Sequence, residues 1–204
     1  MTSERKRDPV TDHLLTGENA AFVVIDYQPV QVSSIRSMDQ GELVFNVIST
    51  AKAAMNYKLP VIVSTVNVSN GRNKPMIDPL VEVLGRTPVY DRTTINAWED
   101  TEFRQAVEAT GRKKLIMTAL WTEACLTFPT LDALQAGYEV YAVTDAVGGT
   151  SLTAHEAALR RIEQAGAVLT SRAQLYCELQ RDWDRTDTVP GFMDVFRHYD
   201  GKAG

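Results

Sequence analysis

Short runs of large apolar residues alternate along the chain with longer stretches in which apolar residues recur at helical spacing. In the first run, Ala20–Ile25, consecutive apolar residues without alternation indicate a strand that is buried on both faces. The stretch from Asp39 to Tyr57 follows, and its apolar residues fall on one helical face. The same pattern predicts five further strands: Val61–Val66, Pro88–Asp91, Lys114–Ala119, Tyr138–Val143 and Ala167–Thr170.

Helical patterns separate most of these strands. Four more helices are predicted: Asp100–Thr110, Thr122–Ala136, Thr153–Ala165 and Ala173–Leu179. The polar segment Asn67–Pro79 predicts a long loop. Because parallel strands need a crossover, strands alternating with helices imply βαβ units. We therefore expect an α/β fold whose six-stranded parallel sheet carries helices on both faces.

The chain length suits a single domain. It has 204 residues, and no internal repeat or Pro/Gly/Ser-rich linker divides it, so we expect one domain over residues 1–204. Residues 1–16 are polar and predict an arm on the surface or on a neighbouring subunit. The tail, residues 180–204, contains Phe192, Val195 and Phe196, which indicate contacts with another subunit or with the tail's own domain.

Net charge and cysteine content limit the binding partners and the cellular compartment that the sequence predicts. The formal net charge of -5 argues mildly against nucleic acid and anionic membranes, which need a basic face. Two cysteines form no disulfide framework in a chain of this length. The N-terminus lacks the apolar segment of a signal peptide, and no apolar run approaches the ~20 residues that span a bilayer. We therefore expect a cytoplasmic protein that acts on a small molecule.

Candidate chemistry gathers where strands end. In open parallel sheets, ligands bind beyond the carboxyl ends of the strands at the point where strand order reverses. Asp26 closes the first strand, Arg92 follows the third, and Cys125 follows the fourth near the start of a helix. A helix N-terminus and a nearby cation lower a thiol pKa, so we expect a thiolate near neutral pH. A carboxylate can accept its proton, and backbone N–H groups can form an oxyanion hole.

Each of these residues also has an ordinary structural alternative. A lone cysteine in such a fold is more often a small buried apolar residue, and Asp26 can serve as a cap. Cys177 lies in the apolar pattern of Leu175 and Leu179, so we expect it in the core. Pro129 lacks an N–H and cannot bond the Cys125 carbonyl, which predicts a loosened first helical turn.

Other common sites find no support in the sequence. The three histidines, His13, His155 and His198, have no ligand spacing and lie away from the predicted strand-end loops, so we expect no catalytic metal. The chain contains neither G-x-G-x-x-G nor G-x-S-x-G. We therefore expect no cofactor and no serine nucleophile.

Four segments together resemble a known family. AAFVVIDYQ, RTTINAW, ALWTEACL and YEVYAVTDAVG resemble, in order and spacing, the isochorismatase-like cysteine hydrolases, in particular their YcaC-related branch. The resemblance runs from about Asn19 to Arg172. It implies a Rossmann-like, three-layer fold and a triad of Asp, Lys and Cys, in which Asp26 is the acid and Cys125 the nucleophile.

One position departs from the family triad. The family lysine falls on Arg92, and arginine stays charged at every accessible pH, so it can stabilise charge but cannot shuttle a proton. All proton transfer is therefore assigned to Asp26. The resemblance also implies a cis peptide between Leu120 and Trp121, which would aim the N–H groups of Trp121 and Cys125 at one oxyanion.

The resemblance extends to substrate, assembly and reaction. The metal-binding Asp-x-His motif of the family's nicotinamidases is missing, which counts against nicotinamide as substrate. Residues expected to line the pocket are Gln28, Asn96, Trp98 and Trp121. Family members are commonly oligomeric, so a homo-oligomer is expected. The reaction expected is thiolate attack on a small amide-like or carbamoyl carbon through a thioester. The alternatives are a vinyl-ether hydrolase without a covalent intermediate and a non-catalytic, redox-sensing or structural oligomer.

Overall fold

The sheet has six parallel strands and matches the predicted fold class. The computed structural model describes residues 7–200, with side chains through Val195. Across the sheet the strands run in the order β3-β2-β1-β4-β5-β6. Their bounds are β1 Ala20–Ile25, β2 Val61–Val66, β3 Val89–Arg92, β4 Lys114–Ala119, β5 Glu139–Val143 and β6 Val168–Thr170. Strand order therefore reverses between β1 and β4, which pair from Ala20 with Lys114 to Ile25 with Ala119.

Helices connect the strands. Their bounds are α1 Pro29–Ser33, α2 Gln40–Asn56, α3 Asp78–Leu84, α4 Thr101–Ala109, α5 Thr127–Gln135, α6 Leu152–Gln164, α7 Arg172–Gln180 and α8 Val189–Asp200. Short 3₁₀ turns cover Ala97–Glu99 and Thr144–Ala146, and a π turn covers Thr122–Leu126. No helix within the described residues is both long and apolar enough to cross a membrane.

Alternate residues of β1 point into two apolar layers, as the pleat of a strand requires. Phe22 and Val24 face a layer formed with α2, α3, α7 and α8. Val23 and Ile25 face a layer formed with α4, α5 and α6. The sheet is therefore the middle of three layers, and β1 is buried on both sides as its sequence predicts.

Most predicted elements agree with the structure to within one residue at each end, but three helices were not predicted. The predicted loop extends to Pro79, but α3 already begins at Asp78, because a proline in the first helical turn is pre-organised for a helix. The five-residue α1 is too short to show periodicity, and α8 lies in the predicted tail. The predicted helix from Thr122 begins with the π turn and becomes α-helical only at Thr127.

The arm and the tail pack on their own domain in the described residues. Leu15 is fully buried, and the Lys114 ammonium donates to the carbonyls of Asp12 at 2.9 Å and His13 at 2.5 Å. Phe192 and Val195 are buried in the layer that contains α2 and α7. The side chain of Phe196 lies outside the described residues.

The expectation that Cys177 belongs to the core is wrong. Leu175 and Leu179 are buried, but the Cys177 thiol is exposed. Leu175 and Leu179 are four residues apart and share a helical face, whereas the residue midway between them points to the opposite face.

Candidate active site

The carboxyl edge of the sheet brings three distant side chains together at the point where strand order reverses. Asp26 directly follows β1, Arg92 ends β3, and Cys125 lies in the π turn after β4. Arg92 reaches Asp26 by crossing the end of β2, where it contacts the Ser64 hydroxyl at 3.0 Å and the Thr65 carbonyl at 3.1 Å. The predicted constellation of acid, cation and thiol is therefore assembled in space.

The Asp26 carboxylate is completely buried and pairs with Arg92. The guanidinium donates to Oδ1 at 2.8 Å and to Oδ2 at 2.7 Å, and both side chains are 0% exposed. A bidentate pair of this kind fixes orientation as well as charge. Asp26 also has a positive φ of 61°, uncommon for a residue with a Cβ. Its N–H still donates to the Ser64 carbonyl at 3.0 Å, which holds this backbone in place.

Arg92 keeps its charge in the buried site. Burial alone would lower its pKa, but the hydrogen bonds and negative charge of Asp26 raise that pKa above its usual value. A fifth contact runs from Nη2 to the Ile95 carbonyl at 3.2 Å, so the guanidinium also ties down the loop after β3. Arg92 is thus a fixed cation and holds its proton throughout the accessible pH range.

Cys125 is a buried thiol rather than the thiolate expected from the sequence. Cys125 is 9% exposed, and burial together with the Asp26 carboxylate raises the pKa of its thiol to about 12. Arg92 and the backbone N–H of Trp121 act in the opposite direction but are outweighed. The expectation of a thiolate at neutral pH is wrong because the neighbouring carboxylate and the loss of water outweigh the cation. Because Asp26 is among the groups that raise this pKa, a carboxylate able to accept the thiol proton lies close to the sulfur.

Trp121 frames the thiol from the other side. The peptide between Leu120 and Trp121 is cis, as the family resemblance implied. The Trp121 backbone N–H lies near enough to the Cys125 sulfur to lower the thiol pKa, and the indole Nε1 donates to the Ser34 hydroxyl at 2.6 Å. A backbone donor therefore lies beside the sulfur, where an oxyanion-hole donor is needed.

Two of the residues expected to line the pocket are instead used in the scaffold. Gln28 is fully buried; its amide donates to the carbonyls of Val66 at 3.1 Å and Lys74 at 2.6 Å and accepts from the Val66 N–H at 3.0 Å. Trp98 packs edge-on against Phe103 and Tyr138, with ring centroids 6.5 and 5.5 Å away. These contacts support the loop after Asp26 and the α4–α5 layer, respectively.

Asn96 is bonded to the scaffold and also lines a surface depression. Its Nδ2 donates to Asp132 Oδ2 at 2.6 Å and its Oδ1 accepts from the Trp98 N–H at 3.0 Å. It also lines an open depression between the loop after β3 and α5, together with Ile95, Phe128 and Arg161. The Asn96 side chain thus shapes the surface beside Arg92 while its polar atoms are already paired.

His155 is a neighbour of the site that the sequence did not reveal. We expected the histidines to lie away from the strand-end loops, and this is wrong for His155, whose Nδ1 lies 2.8 Å from the Thr122 hydroxyl. The cause is tertiary, since α6 packs its first turns on the π turn. No spacing in the sequence signals that contact. Within the described residues no cluster of three or more His, Cys, Asp or Glu side chains is placed to hold a metal.

The six-stranded parallel sheet with helices on both faces, and the meeting of Asp26, Arg92 and Cys125 at its carboxyl edge, are the arrangement that the resemblance to the isochorismatase-like hydrolases implied. The isochorismatase domain family matches residues 20–174. The chain is 35% identical to the probable hydrolase YcaC of Escherichia coli over 91% of its own length and 88% of that protein. It therefore belongs to the isochorismatase family.

Solved structures agree with the sequence comparison. YcaC from Pseudomonas aeruginosa, determined with hexane-2,5-diol and covalent acrylamide, is 33% identical, covers 93% of this chain and 98% of its own, and superimposes with a TM-score of 0.82. E. coli YcaC, described as an octameric hydrolase of unknown specificity, is 32% identical with the same coverage and TM-score. The MAR1 ribonuclease of Caenorhabditis elegans is 25% identical over 90% of this chain and 91% of its own, with a TM-score of 0.79.

Proposed function

We propose that the protein is a cysteine hydrolase that cleaves a small amide-like or carbamoyl C–N bond through a thioester on Cys125. The observation that carries this proposal is the buried Cys125 thiol beside the Asp26 carboxylate, which raises the thiol pKa and is itself paired with Arg92 through two hydrogen bonds. A protonated thiol at rest requires a base in contact with it, and Asp26 is that base. The catalytic residues proposed are Asp26, Arg92 and Cys125.

The first half-reaction forms the thioester. The Cys125 sulfur attacks the carbonyl carbon while Asp26 takes the thiol proton, so no free thiolate accumulates. The carbonyl oxygen gains the negative charge and is held by the backbone N–H groups of Trp121 and Cys125. The C–N bond then breaks as the proton on Asp26 passes to the leaving nitrogen.

The second half-reaction returns the free enzyme. Water attacks the thioester carbon while Asp26 accepts one of its protons. The C–S bond breaks, the acid leaves, and the sulfur recovers its proton from Asp26. Arg92 balances the charge of Asp26 whenever the carboxylate is ionised and does not transfer a proton.

P. aeruginosa YcaC carries covalent acrylamide, so that relative has a nucleophilic side chain that a small electrophile reaches, in keeping with a reactive nucleophile in this chain. The buried thiol counts against the alternative of a redox sensor, because oxidation favours exposed cysteines of low pKa.

The test is a screen of small amides, ureas and carbamates with three proteins. Wild type and Cys177→Ala are expected to release amine or ammonia at equal rates, and Cys125→Ala is expected to release none. Full activity in Cys125→Ala would overturn the mechanism. Vinyl-ether cleavage without a trapped adduct, or RNA cleavage that survives Cys125→Ala, would assign the site to a different reaction.

We also propose that the chain forms a homo-oligomer. E. coli YcaC is described as octameric, and this chain exposes the large apolar side chains Ile95 and Trp183, at 66% and 64%. Sedimentation is expected to give a mass several times the 22.6 kDa of one chain. A single species at that monomer mass would contradict the proposal. Both cysteines are free in the structure, in keeping with the reducing, cytoplasmic compartment that we propose.

A further inference from the structure

The π turn that carries Cys125 lacks one backbone hydrogen bond that a regular α-helical turn would make. Its i→i+5 bonds include the Leu126 N–H to the Trp121 carbonyl at 3.1 Å. Pro129, one turn further on, has no N–H to offer the Cys125 carbonyl. A turn of this kind needs contacts from outside to keep one geometry, and two are supplied by the residues just before Cys125.

The first external contact is made by Thr122. Its hydroxyl is fully buried and lies 2.8 Å from Nδ1 of His155, which projects from the first turn of α6. Burial lowers the pKa of His155, while the charges of Glu123 and Glu156 oppose that shift, so the ring is neutral at physiological pH. The Thr122 N–H also donates to the Gly148 carbonyl at 2.9 Å.

The second external contact is made by Glu123. Its Oε1 accepts from both the Thr150 N–H at 2.9 Å and the Thr150 hydroxyl at 2.6 Å. Its Oε2 is buried and has no hydrogen-bond partner among the described residues. That oxygen lies over Gly149, where a Cβ would come within 2.7 Å of it, so only glycine permits this approach.

The loop that receives these contacts is itself fixed. The Gly149 carbonyl accepts from the Arg36 N–H at 3.0 Å, and the Gly149 N–H donates to the Ser37 hydroxyl at 3.0 Å. The segment Gly148–Thr150 is therefore bonded to the π turn on one side and to the loop after α1 on the other. The same loop after α1 holds the Trp121 indole through Ser34.

We propose that His155 and Thr150 are positioning residues, which hold the π turn through Thr122 and Glu123 so that the Cys125 sulfur faces Asp26 and the Trp121 N–H. Neither side chain contacts the thiol. Their effect is to keep the thiol in its buried, carboxylate-facing position, where it can transfer its proton. This proposal rests on the proposed function for its kinetic consequence but not for its structural one.

A displaced turn has two opposite consequences, which separate positioning from simple destabilisation. Turnover falls, since a misplacement of about 1 Å can cost ~100-fold in rate. Alkylation of the thiol near pH 8 becomes faster, because burial and Asp26 are what raise the Cys125 pKa and a displaced sulfur escapes both. General destabilisation would reduce turnover without shifting the pH profile of alkylation while the protein stays folded.

The experiment compares Thr122→Val with Thr122→Ser, in a Cys177→Ser background so that acrylamide reports on Cys125 alone. Thr122→Val is expected to lower kcat by ~10- to ~100-fold with little change in KM and to move the alkylation profile to lower pH. Thr122→Ser keeps the hydroxyl and is expected to restore most of both properties. Thr130→Val is the matched control, because it removes another fully buried hydroxyl, one in α5 that donates to Met117 Sδ at 3.7 Å and belongs to neither of the two external contacts.

A second pair uses the exposed loop, where loss of the fold is not a concern. Thr150→Ala is expected to shift the alkylation profile in the same direction by a smaller amount, and Thr153→Ala, an exposed threonine in the first turn of α6, is expected to leave it unchanged. Unchanged profiles in both Thr122→Val and Thr150→Ala would overturn the proposal, as would equal shifts in Thr130→Val and Thr153→Ala. Turnover that survives Cys125→Ala would instead overturn the proposed function, while the alkylation comparison would still decide the positioning role.

Discussion

At the scale of single residues, the site depends on a buried ion pair and one neutral thiol beside it. Asp26 and Arg92 have no access to water, and their two hydrogen bonds make each the other's main compensation for burial. Cys125 lies beside this ion pair. The Asp26 carboxylate helps to raise the pKa of the Cys125 thiol and is also the group that can accept the thiol proton. The nearness of Asp26 therefore keeps the resting thiol protonated and also provides the base that removes its proton when it reacts.

The first prediction concerns the pH dependence of the thiol. With a pKa of about 12, the thiolate fraction of Cys125 is small at neutral pH and increases with each unit of pH through the alkaline range. In Cys177→Ser, acrylamide labelling of Cys125 followed by peptide mass spectrometry is expected to accelerate ~10-fold per pH unit from about pH 6 to about pH 10. A plateau below about pH 9 would show that the thiol ionises near its ordinary value.

The second prediction concerns the ion pair. Arg92→Met leaves the Asp26 carboxylate buried and unpaired, so the free energy of unfolding is expected to fall by ~3–5 kcal/mol. Arg92→Lys keeps the charge and is expected to lose less. Urea unfolding measures both. Arg104→Met is the control, because Arg104 pairs with Glu108 on the surface and its loss is expected to cost no more than ~0.5 kcal/mol.

The three residues of this site could be located from the sequence because each lies at or beyond the carboxyl end of a strand, and the carboxyl ends of parallel strands share one edge of the sheet. The ionisation state of Cys125 could not be predicted from the sequence, because the local sequence indicates the helix and the cation but not the burial of the thiol. The family resemblance placed Gln28 and Trp98 in the pocket, whereas the Gln28 amide bonds the Val66 and Lys74 carbonyls and the Trp98 ring packs on Phe103 and Tyr138. Side-chain direction after a strand depends on tertiary partners that residue type does not reveal.

At the scale of secondary-structure elements, the π turn is the feature on which the site geometry depends. Pro129 predicted a loosened first turn, and the structure realises it as i→i+5 bonding over Thr122–Leu126. The Thr127 hydroxyl reinforces this turn by donating to the Thr122 carbonyl at 2.7 Å. What the sequence could not show is that α6 and the Gly148–Thr150 loop complete the support, because those contacts join residues more than twenty positions apart.

The third prediction tests the role of Pro129. In Pro129→Ala the new N–H can bond the Cys125 carbonyl, which favours an ordinary α-helical turn and moves the thiol away from Asp26. We expect kcat to fall by ~10-fold or more with little loss of stability. Steady-state kinetics and urea unfolding on the same sample measure the two effects.

Pro79→Ala is the matched control for that prediction. Pro79 lies in the first turn of α3, where a missing N–H costs the helix no bond. Its replacement is expected to leave kcat unchanged. An unaltered kcat in Pro129→Ala, or an equal loss in Pro79→Ala, would show that the proline does not shape the site.

At the scale of the whole molecule, the candidate site lies at the carboxyl edge of the sheet, whereas the described part of the arm lies at the amino end of β4. The described part of the arm binds the amino end of β4 through Lys114, and its Asp12 forms an ion pair with Arg181, the residue that follows α7. The tail packs on α2 and α7, with Phe192 edge-on to Tyr176 at 6.2 Å. The sequence left open whether this tail contacts its own domain or another subunit, because the apolar residues of a helix do not reveal which surface they pack against.

The fourth prediction follows from this separation. Phe192→Ala removes a buried ring, so the free energy of unfolding is expected to fall by ~3–5 kcal/mol. The pH profile of Cys125 alkylation in the folded protein is expected to stay unchanged, because Phe192 and Cys125 lie in apolar layers on opposite faces of the sheet. A changed profile would show that the tail communicates with the site.

The central claim is a covalent bond between substrate and Cys125, and rapid-quench mass spectrometry tests it directly. With an amide identified by the screen, we expect a transient mass increase equal to the acyl group on the peptide that contains Cys125, and no such increase on the peptide that contains Cys177. Turnover that proceeds with no adduct at any quench time, and at an undiminished rate in Cys125→Ala, would contradict the account.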